Sequence, residues 1–159
     1  MVLLTPGGSR ITVSERLAEL IERRMRRTIR GIEETLREAL RSGEVTFRDV
    51  RDLLRELEPS FALLSQRWVL EILYSLLMLG PLGFNELKRL TGASSRSLSS
   101  KLRALVELGY VSRSVKQGPP LRTLYSLTDR GRGVALLSLP VLYYISGGLR
   151  EARVDDAGP

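Results

Sequence analysis

Residues 84 to 128 read FNELKRLTGASSRSLSSKLRALVELGYVSRSVKQGPPLRTLYSLT, and this stretch decides the fold. It lays out, in order, a short helix, a Gly-containing turn, a second helix, and two strands around a Pro/Gly tip. That order lets one helix enter a DNA major groove while a β-loop touches the backbone beside it, so the stretch predicts a winged helix-turn-helix. The second helix, Ser95 to Leu108, carries the argument. Leu98, Leu102, Leu105 and Leu108 recur at spacings of four, three and three, forming one stripe that must be buried. The other face holds Arg96, Ser99, Ser100 and Arg103 and ends in one acid, Glu107. Short hydroxyl side chains let a helix backbone come close to a duplex. An arginine can bond bidentately to guanine O6 and N7 or grip a phosphate. Ser94 or Ser95 is the N-cap, and either leaves the helix start polar and positive.

Gly109 is the expected residue just past the helix end. Tyr110 to Lys116 and Arg122 to Leu127 read as strands. In the first, Val111, Arg113 and Val115 face one way and Ser112, Ser114 and Lys116 the other, an imperfect alternation that suits an edge strand or a bulge. Gln117 to Leu121 is too long for a two-residue hairpin and suits a protruding wing tip. The candidate DNA contacts follow from this layout. Arg96 and Arg103 suit bases or phosphates, and Ser95, Ser97, Ser99 and Ser100 suit polar positioning. Lys88 and Arg89 of the supporting helix suit phosphate, and Lys116, Gln117 and Arg122 suit the wing. A leucine helix with arginines on its wet side is, by itself, most often a solvated surface helix. The order of the pieces is what points to a reader of nucleic acid.

The same residues resemble a known family. QRWVLEILYSLLMLGPLGFNELKRLTGASSRSLSSKLRALVELGYVSRSV, followed by YSLTDRG, is similar to the HxlR-type transcriptional regulators, winged-helix relatives of the MarR regulators. The landmarks are Trp68, Gly80-Pro81, Phe84 with Glu86-Leu87, the leucines 98, 102 and 105, Gly109 with Val111 and Arg113, and Tyr125-Ser126-Leu127-Thr128 followed by Gly131. The resemblance covers residues 60 to about 145. The resemblance implies a homodimer on double-stranded operator DNA, with dimer contacts from helices flanking the winged helix. The chain departs from the pattern where the family usually carries a Cys-Pro pair, which here is Glu58-Pro59, and the interval from that Pro to Trp68 is shorter than usual. Its first 57 residues are an extension with no counterpart in the family pattern. The missing cysteine puts thiol-based redox sensing, known in some members, out of reach.

Composition supports a polyanion partner. The net charge of +7 is unevenly placed: residues 1–59 carry twelve basic against eleven acidic side chains, 60–132 eleven against four, and 133–159 two against three. The excess therefore sits on the winged helix, where neutralised phosphates would release counterions. There is no Cys and no His. That excludes disulfides, thiolate metal sites and the commonest general base. No paired carboxylates, metal-ligand set or phosphate loop is legible either, so the chain reads as a non-enzyme with no catalytic residue, metal or cofactor. Nothing in the sequence marks a site for a small-molecule effector. Arginine supplies 22 of the 25 basic residues, with one Asn and two Gln in the chain, which fits a GC-rich genome and a thermophile source. No signal peptide is visible, and the apolar window Val134 to Ile145 is too short to cross a bilayer, so a cytoplasmic protein with no membrane contact is expected.

The rest of the chain reads as helices serving that domain. Residues 1–13 are a flexible lead-in, with room for a short strand at Arg10 to Val13. A long helix runs from a Ser14 cap to Gly43, and Ala18, Ile21, Met25, Thr28, Ile32, Thr35 and Ala39 repeat by threes and fours as a coiled-coil seam does. It needs a partner: the same helix of a second subunit, or the chain's own flanking helices. The Arg23-Arg24-Met25-Arg26-Arg27 cluster could touch DNA, but i to i+4 pairing with nearby glutamates is the plainer account. Thr46 and Asp49 open a helix expected to end near Leu57, with Pro59 as the hinge into the domain at 59–132. Phe61 to Leu79 reads as one core helix, with Trp68, Ile72 and Leu76 in a row. Thr128-Asp129 caps a last apolar helix, a dimerisation element over 133–148 that Pro140 should bend or divide, followed by a frayed tail over 149–159. The fold class is therefore mainly α with a small β-hairpin wing, and residues 14–58 form a helical extension for dimerisation. The rival reading is a winged-helix module that recruits another protein through its long N-terminal helix.

Overall fold

Local hydrogen bonds at helix ends set most of the element boundaries. In the computed structural model, which describes residues 14–145 together with the backbone of 2–4, 10–12 and 149–150, α1 spans Glu15–Ser42. Its Ser14 cap Oγ accepts from the Leu17 amide at 3.3 Å, and Gly43 ends it at φ +73°. The next helix, α2, opens with a reciprocal cap. The Thr46 amide donates to Asp49 Oδ2 at 2.8 Å while the Asp49 amide donates to Thr46 Oγ1 at 3.3 Å. The Thr46 hydroxyl also donates to Asp49 Oδ2 at 2.6 Å, and this bond, with the Thr46 amide, holds the Asp49 carboxyl below the usual carboxylate range.

Here the chain departs from expectation. Helix α2 covers Phe47–Leu64 and passes straight through Pro59 instead of hinging there. A mid-helix proline forfeits one ladder hydrogen bond. The helix continues because Leu57, Phe61 and Leu64 prolong its apolar spacing and Leu63 is anchored in the core. The break comes later. The expected single helix from Phe61 to Leu79 is divided by Ser65 to Trp68, and α3 (Val69–Leu79) leaves at 79° to α2. Trp68 sits at φ +68°, a left-handed conformation unusual for an L-residue and held here by tertiary packing. Its ring lies against the core, with the Arg67 guanidinium 4.5 Å above the ring centroid.

After α3 come a two-residue strand β3 (Leu82–Gly83), α4 (Phe84–Thr91), α5 (Ser95–Glu107), strands β4 (Val111–Lys116) and β5 (Arg122–Leu127), and α6 (Asp129–Ile145). The sheet order is β3-β5-β4, all antiparallel. The wing is therefore braced by a third strand that the sequence did not announce. Pairing runs unbroken from Val111 with Leu127 to Lys116 with Arg122, so β4 is an edge strand without a bulge. Helix α6 is not divided at Pro140.

The chain forms two compact units. Arg51–Leu137 makes one, with a core centred on Ile72, Leu73, Leu87, Leu98, Leu102 and Leu105, all at 1% exposure or less. Its limits lie outside the expected 59–132, because the end of α2 and the start of α6 pack with the winged helix. The other unit holds Met1–Val50 and Ser138–Pro159. There α1 is exposed along nearly its whole length, and among its described residues only Ala18 is buried. Strands β1 (Val2–Leu4), β2 (Arg10–Thr12) and β6 (Leu149–Arg150) form a small antiparallel sheet in the order β2-β1-β6. The expected lead-in thus contains two paired strands, and the head of the expected tail supplies a third. Gly147-Gly148 and residues 151–159, expected as the end of order and a frayed tail, lie outside the described residues. No single described helix is long and apolar enough to cross a membrane.

Candidate nucleic-acid interface

The surface of interest begins with α5. Leu98, Leu102 and Leu105 are fully buried, which fixes the rotation of the helix about its own axis. Each such burial contributes on the order of 1.5–3 kcal/mol. With the stripe turned inward, Ser95, Arg96, Ser99, Ser100 and Arg103 are exposed, as the spacing requires. Neither Arg96 nor Arg103 forms an ion pair with any described residue. Their guanidinium groups point into solvent with full charge and five donors each.

Both ends of α5 are locked. At its start, Ser94 Oγ accepts from the Ser97 amide at 3.2 Å and donates to Ser97 Oγ at 3.1 Å. Ser94 is thus the cap, and Ser97, half-buried beside it, belongs to the cap more than to the open face. At its end, the Tyr110 amide donates to the Leu105 carbonyl at 2.9 Å and the Gly109 amide to Val106 at 3.0 Å. With Gly109 at φ +73°, this is the Schellman arrangement that stops a helix and turns the chain directly into β4.

A polar junction then ties helix to wing. Thr128 Oγ1 donates to the Gly109 carbonyl at 2.7 Å, the Thr128 amide donates to the Tyr110 carbonyl at 3.1 Å, and the Gly131 amide donates to Thr128 Oγ1 at 3.0 Å. Arg130 lays its guanidinium 4.9 Å from the centroid of the buried Tyr110 ring and donates to the Leu108 carbonyl at 3.2 Å. Gly131 is packed so closely that an added Cβ would stand 1.9 Å from the Tyr110 carbonyl oxygen. No side chain fits there. The end of α5, the start of β4, the end of β5 and the start of α6 therefore meet at one rigid point. The sequence marked Thr128 and Gly131 as landmarks but gave no sign of this positioning role, because the partners are some twenty residues apart.

The remaining candidates fall into two groups. Lys88 and Arg89 are exposed in the last turn of α4. Lys116 and Arg122 face each other across the hinge of the wing, and with Gln117 they line a shallow hollow at its tip. Arg113, exposed on β4, is a basic side chain the sequence reading left out of the contact set; its Nη2 donates to Thr123 Oγ1 at 3.5 Å. Lys101 is tied instead to Gln66 Oε1 in the turn between α2 and α3. Among the described residues no buried side-chain polar atom lacks a partner, and no three His, Cys, Asp or Glu side chains gather as a metal site would require.

Comparison with known proteins agrees with this geometry. A family profile described as HxlR-like helix-turn-helix matches residues 63–144. An uncharacterized HTH-type transcriptional regulator of Bacillus subtilis, YvaP, is 40% identical over 90 residues, covering 56% of this chain and 79% of that protein. Another from Mycobacterium tuberculosis, MT3179, is 41% identical over 70 residues, 44% of each chain. Among solved structures, the reduced form of the transcriptional regulator YodB from B. subtilis superposes with a TM-score of 0.53 at 25% identity, covering 65% of this chain and 96% of that one. A transcriptional regulator homologue from Pyrococcus horikoshii gives a TM-score of 0.51 at 25% identity over 59% of this chain and 94% of that one.

Proposed function

The chain belongs to the HxlR-like helix-turn-helix family of transcriptional regulators, and we propose that it works as a homodimer that recognises a specific double-stranded operator. The observation that carries the reading is the α5 surface: two unpaired arginines and three exposed serines on a helix whose orientation is fixed by buried leucines. In this reading Arg96 and Arg103 contact bases or phosphates, Ser95, Ser99 and Ser100 allow close approach, and Ser97 holds the helix start in place. Lys88 and Arg89 from α4, and Lys116, Gln117 and Arg122 from the wing, grip the backbone on either side. Affinity falls steeply with salt if those phosphate contacts form.

The dimer is supported by apolar surface that no described residue of the chain covers. On α1, Ile29, Ile32, Leu36 and Leu40 are 41–55% exposed, and on α6 Val141, Tyr144 and Ile145 are 51–69% exposed. Surfaces of that kind on a folded chain mark association, and closed two-fold pairing is the commonest form. A second copy bringing the same α1 stripe would cover it over the helix length of about 42 Å. Helix α1 and the end of α6 are thus assigned to dimerisation, and the winged-helix unit to DNA. The same reading places the protein in the cytoplasm beside its operator, and takes its scarcity of Asn and Gln as an adaptation to heat.

Selection of bound fragments from random DNA by the pure protein tests the reading. The expected product is a two-fold symmetric site, and Arg96→Ala and Arg103→Ala should each weaken binding to it by about 1–3 kcal/mol if the contact is to a base. Undiminished affinity in the double variant, or no enriched site at all, rejects it.

A further inference from the structure

Helix α1 packs five arginines, Arg23, Arg24, Arg26, Arg27 and Arg30, into one short stretch, with no acid from Arg23 to Ile32. Pairing with neighbouring glutamates was the simple expectation for this cluster. The structure gives such a partner to Arg26 alone among them, which donates to Glu22 at 2.5 Å; the other ion pair of the helix, Arg37 with Glu33, lies outside the cluster. The bond and charge of Glu22, with smaller contributions from Tyr144 and Tyr143, raise the Arg26 pKa further. Arg23, Arg27 and Arg30 are exposed and make no ion pair with any described residue.

Geometry gathers these three. At about 100° per residue they fall within one arc of about 60°, opposite the stripe of Met25, Ile32 and Leu36. Arg23 and Arg30 are about 10.5 Å apart along the axis. A DNA strand presents one phosphate per about 3.4 Å of its own axis, so the three guanidinium groups match the reach of about three phosphates. With Arg26, Glu19 and Glu22 they line a shallow, open concavity.

We propose that this face of α1 is a second DNA surface, one that binds duplex phosphates without regard to sequence and is separate from the α5 surface. The inference rests on the reading of the chain as a DNA-binding dimer. Arginine's planar fork suits phosphate oxygens. An anionic lipid surface is the competing partner, but a helix lying on a membrane inserts its apolar face. On α1 that face is the one assigned to the second copy, which leaves the arginine face as the free one. A dimer carries the face twice, so each subunit engaged adds its own phosphate contacts.

The test uses the full-length protein, a selected operator and a scrambled duplex, with binding measured by fluorescence anisotropy across a series of salt concentrations. The triple variant Arg23→Ala, Arg27→Ala, Arg30→Ala keeps a helix-favouring residue at each position. It is expected to weaken both duplexes alike and to flatten the slope of log affinity against log salt by about 2–3 per subunit engaged. The triple lysine variant should keep most of the slope; should the alanine variant change its oligomeric state, the lysine variant is compared instead with a triple glutamine variant. A wild-type slope in the charge-removed protein, or a loss confined to the operator, overturns the proposal. So does a triple variant that binds DNA normally but no longer binds phosphatidylserine vesicles that the wild type binds. If instead the wild type fails to tell the two duplexes apart, the regulator reading falls, while the slope comparison still judges the α1 face.

Discussion

Helices α5 and α1 are composed alike, with branched apolar side chains along one side, arginines along the other and a serine cap in front. They end in opposite circumstances. In α5 the apolar stripe is buried, with Leu98, Leu102 and Leu105 at 1% exposure or less. In α1 the stripe lies open, with Ile32 at 55% and Leu36 at 51%. The same amphipathic pattern is satisfied inside one chain in the first case and is unsatisfied in the second. A stripe that long, left in water, is evidence for a missing partner, whereas a buried one is evidence only for a core.

The contrast can be broken most directly by truncating one leucine on each helix. Leu102→Ala should lower the unfolding free energy by about 2–5 kcal/mol in urea titrations, because it leaves a cavity beneath the surface proposed to face DNA. Leu36→Ala should leave the unfolding of the winged-helix unit unchanged and instead raise the dimer dissociation constant in sedimentation equilibrium. If both variants simply lose stability, α1 is packed within its own chain and the dimer assignment fails.

A smaller effect compares the two caps. Ser94 and Ser14 both accept from an amide three residues on, at 3.2 Å and 3.3 Å. Replacing a serine cap costs about 1 kcal/mol. Ser94→Ala should therefore weaken both thermal stability and operator binding, since it loosens the end of α5 that is proposed to meet DNA. Ser14→Ala should affect helix content alone, read by circular dichroism.

The smallest effect is one of pH. Asp49, at the start of α2, is held below its ordinary value by hydrogen bonds from Thr46. Its stabilisation is complete above the unfolded carboxylate pKa of about 3.9 and is lost as pH falls through the lower folded value. Ser94 does not titrate in this range, so acid should loosen the start of α2 before it affects the start of α5. Hydrogen exchange at the Thr46 and Ser97 amides, followed from neutral pH down to below pH 4, would show the order, and Asp49→Asn should abolish the difference.

Much of the fold was legible because its signals are local. Ser14, Thr46 with Asp49, and Ser94 each bond groups three residues away, and Gly43 and Gly109 stop their helices at positive φ, so local residue types mark these boundaries to within a residue or so. The α5 surface was legible for a related reason: leucines at helical spacing fix which side faces outward. Pro59 misled because its local cost was outweighed by the burial of Leu63 farther along the same helix. Strand β3 was invisible because two residues, Leu82 and Gly83, carry no alternation.

By itself, then, the sequence determined the helix-turn-helix and the two wing strands after it, the arginine-and-serine face of α5, and the apolar stripe of α1, since each depends on local residue type and spacing. Only the tertiary structure decided that the chain turns at Trp68 and not at Pro59, that Gly131 lies against the Tyr110 carbonyl, and which arginines of α1 are left unpaired. Those features depend on atoms brought together from distant parts of the chain, or on which of several possible partners a side chain takes, and no local pattern encodes that choice.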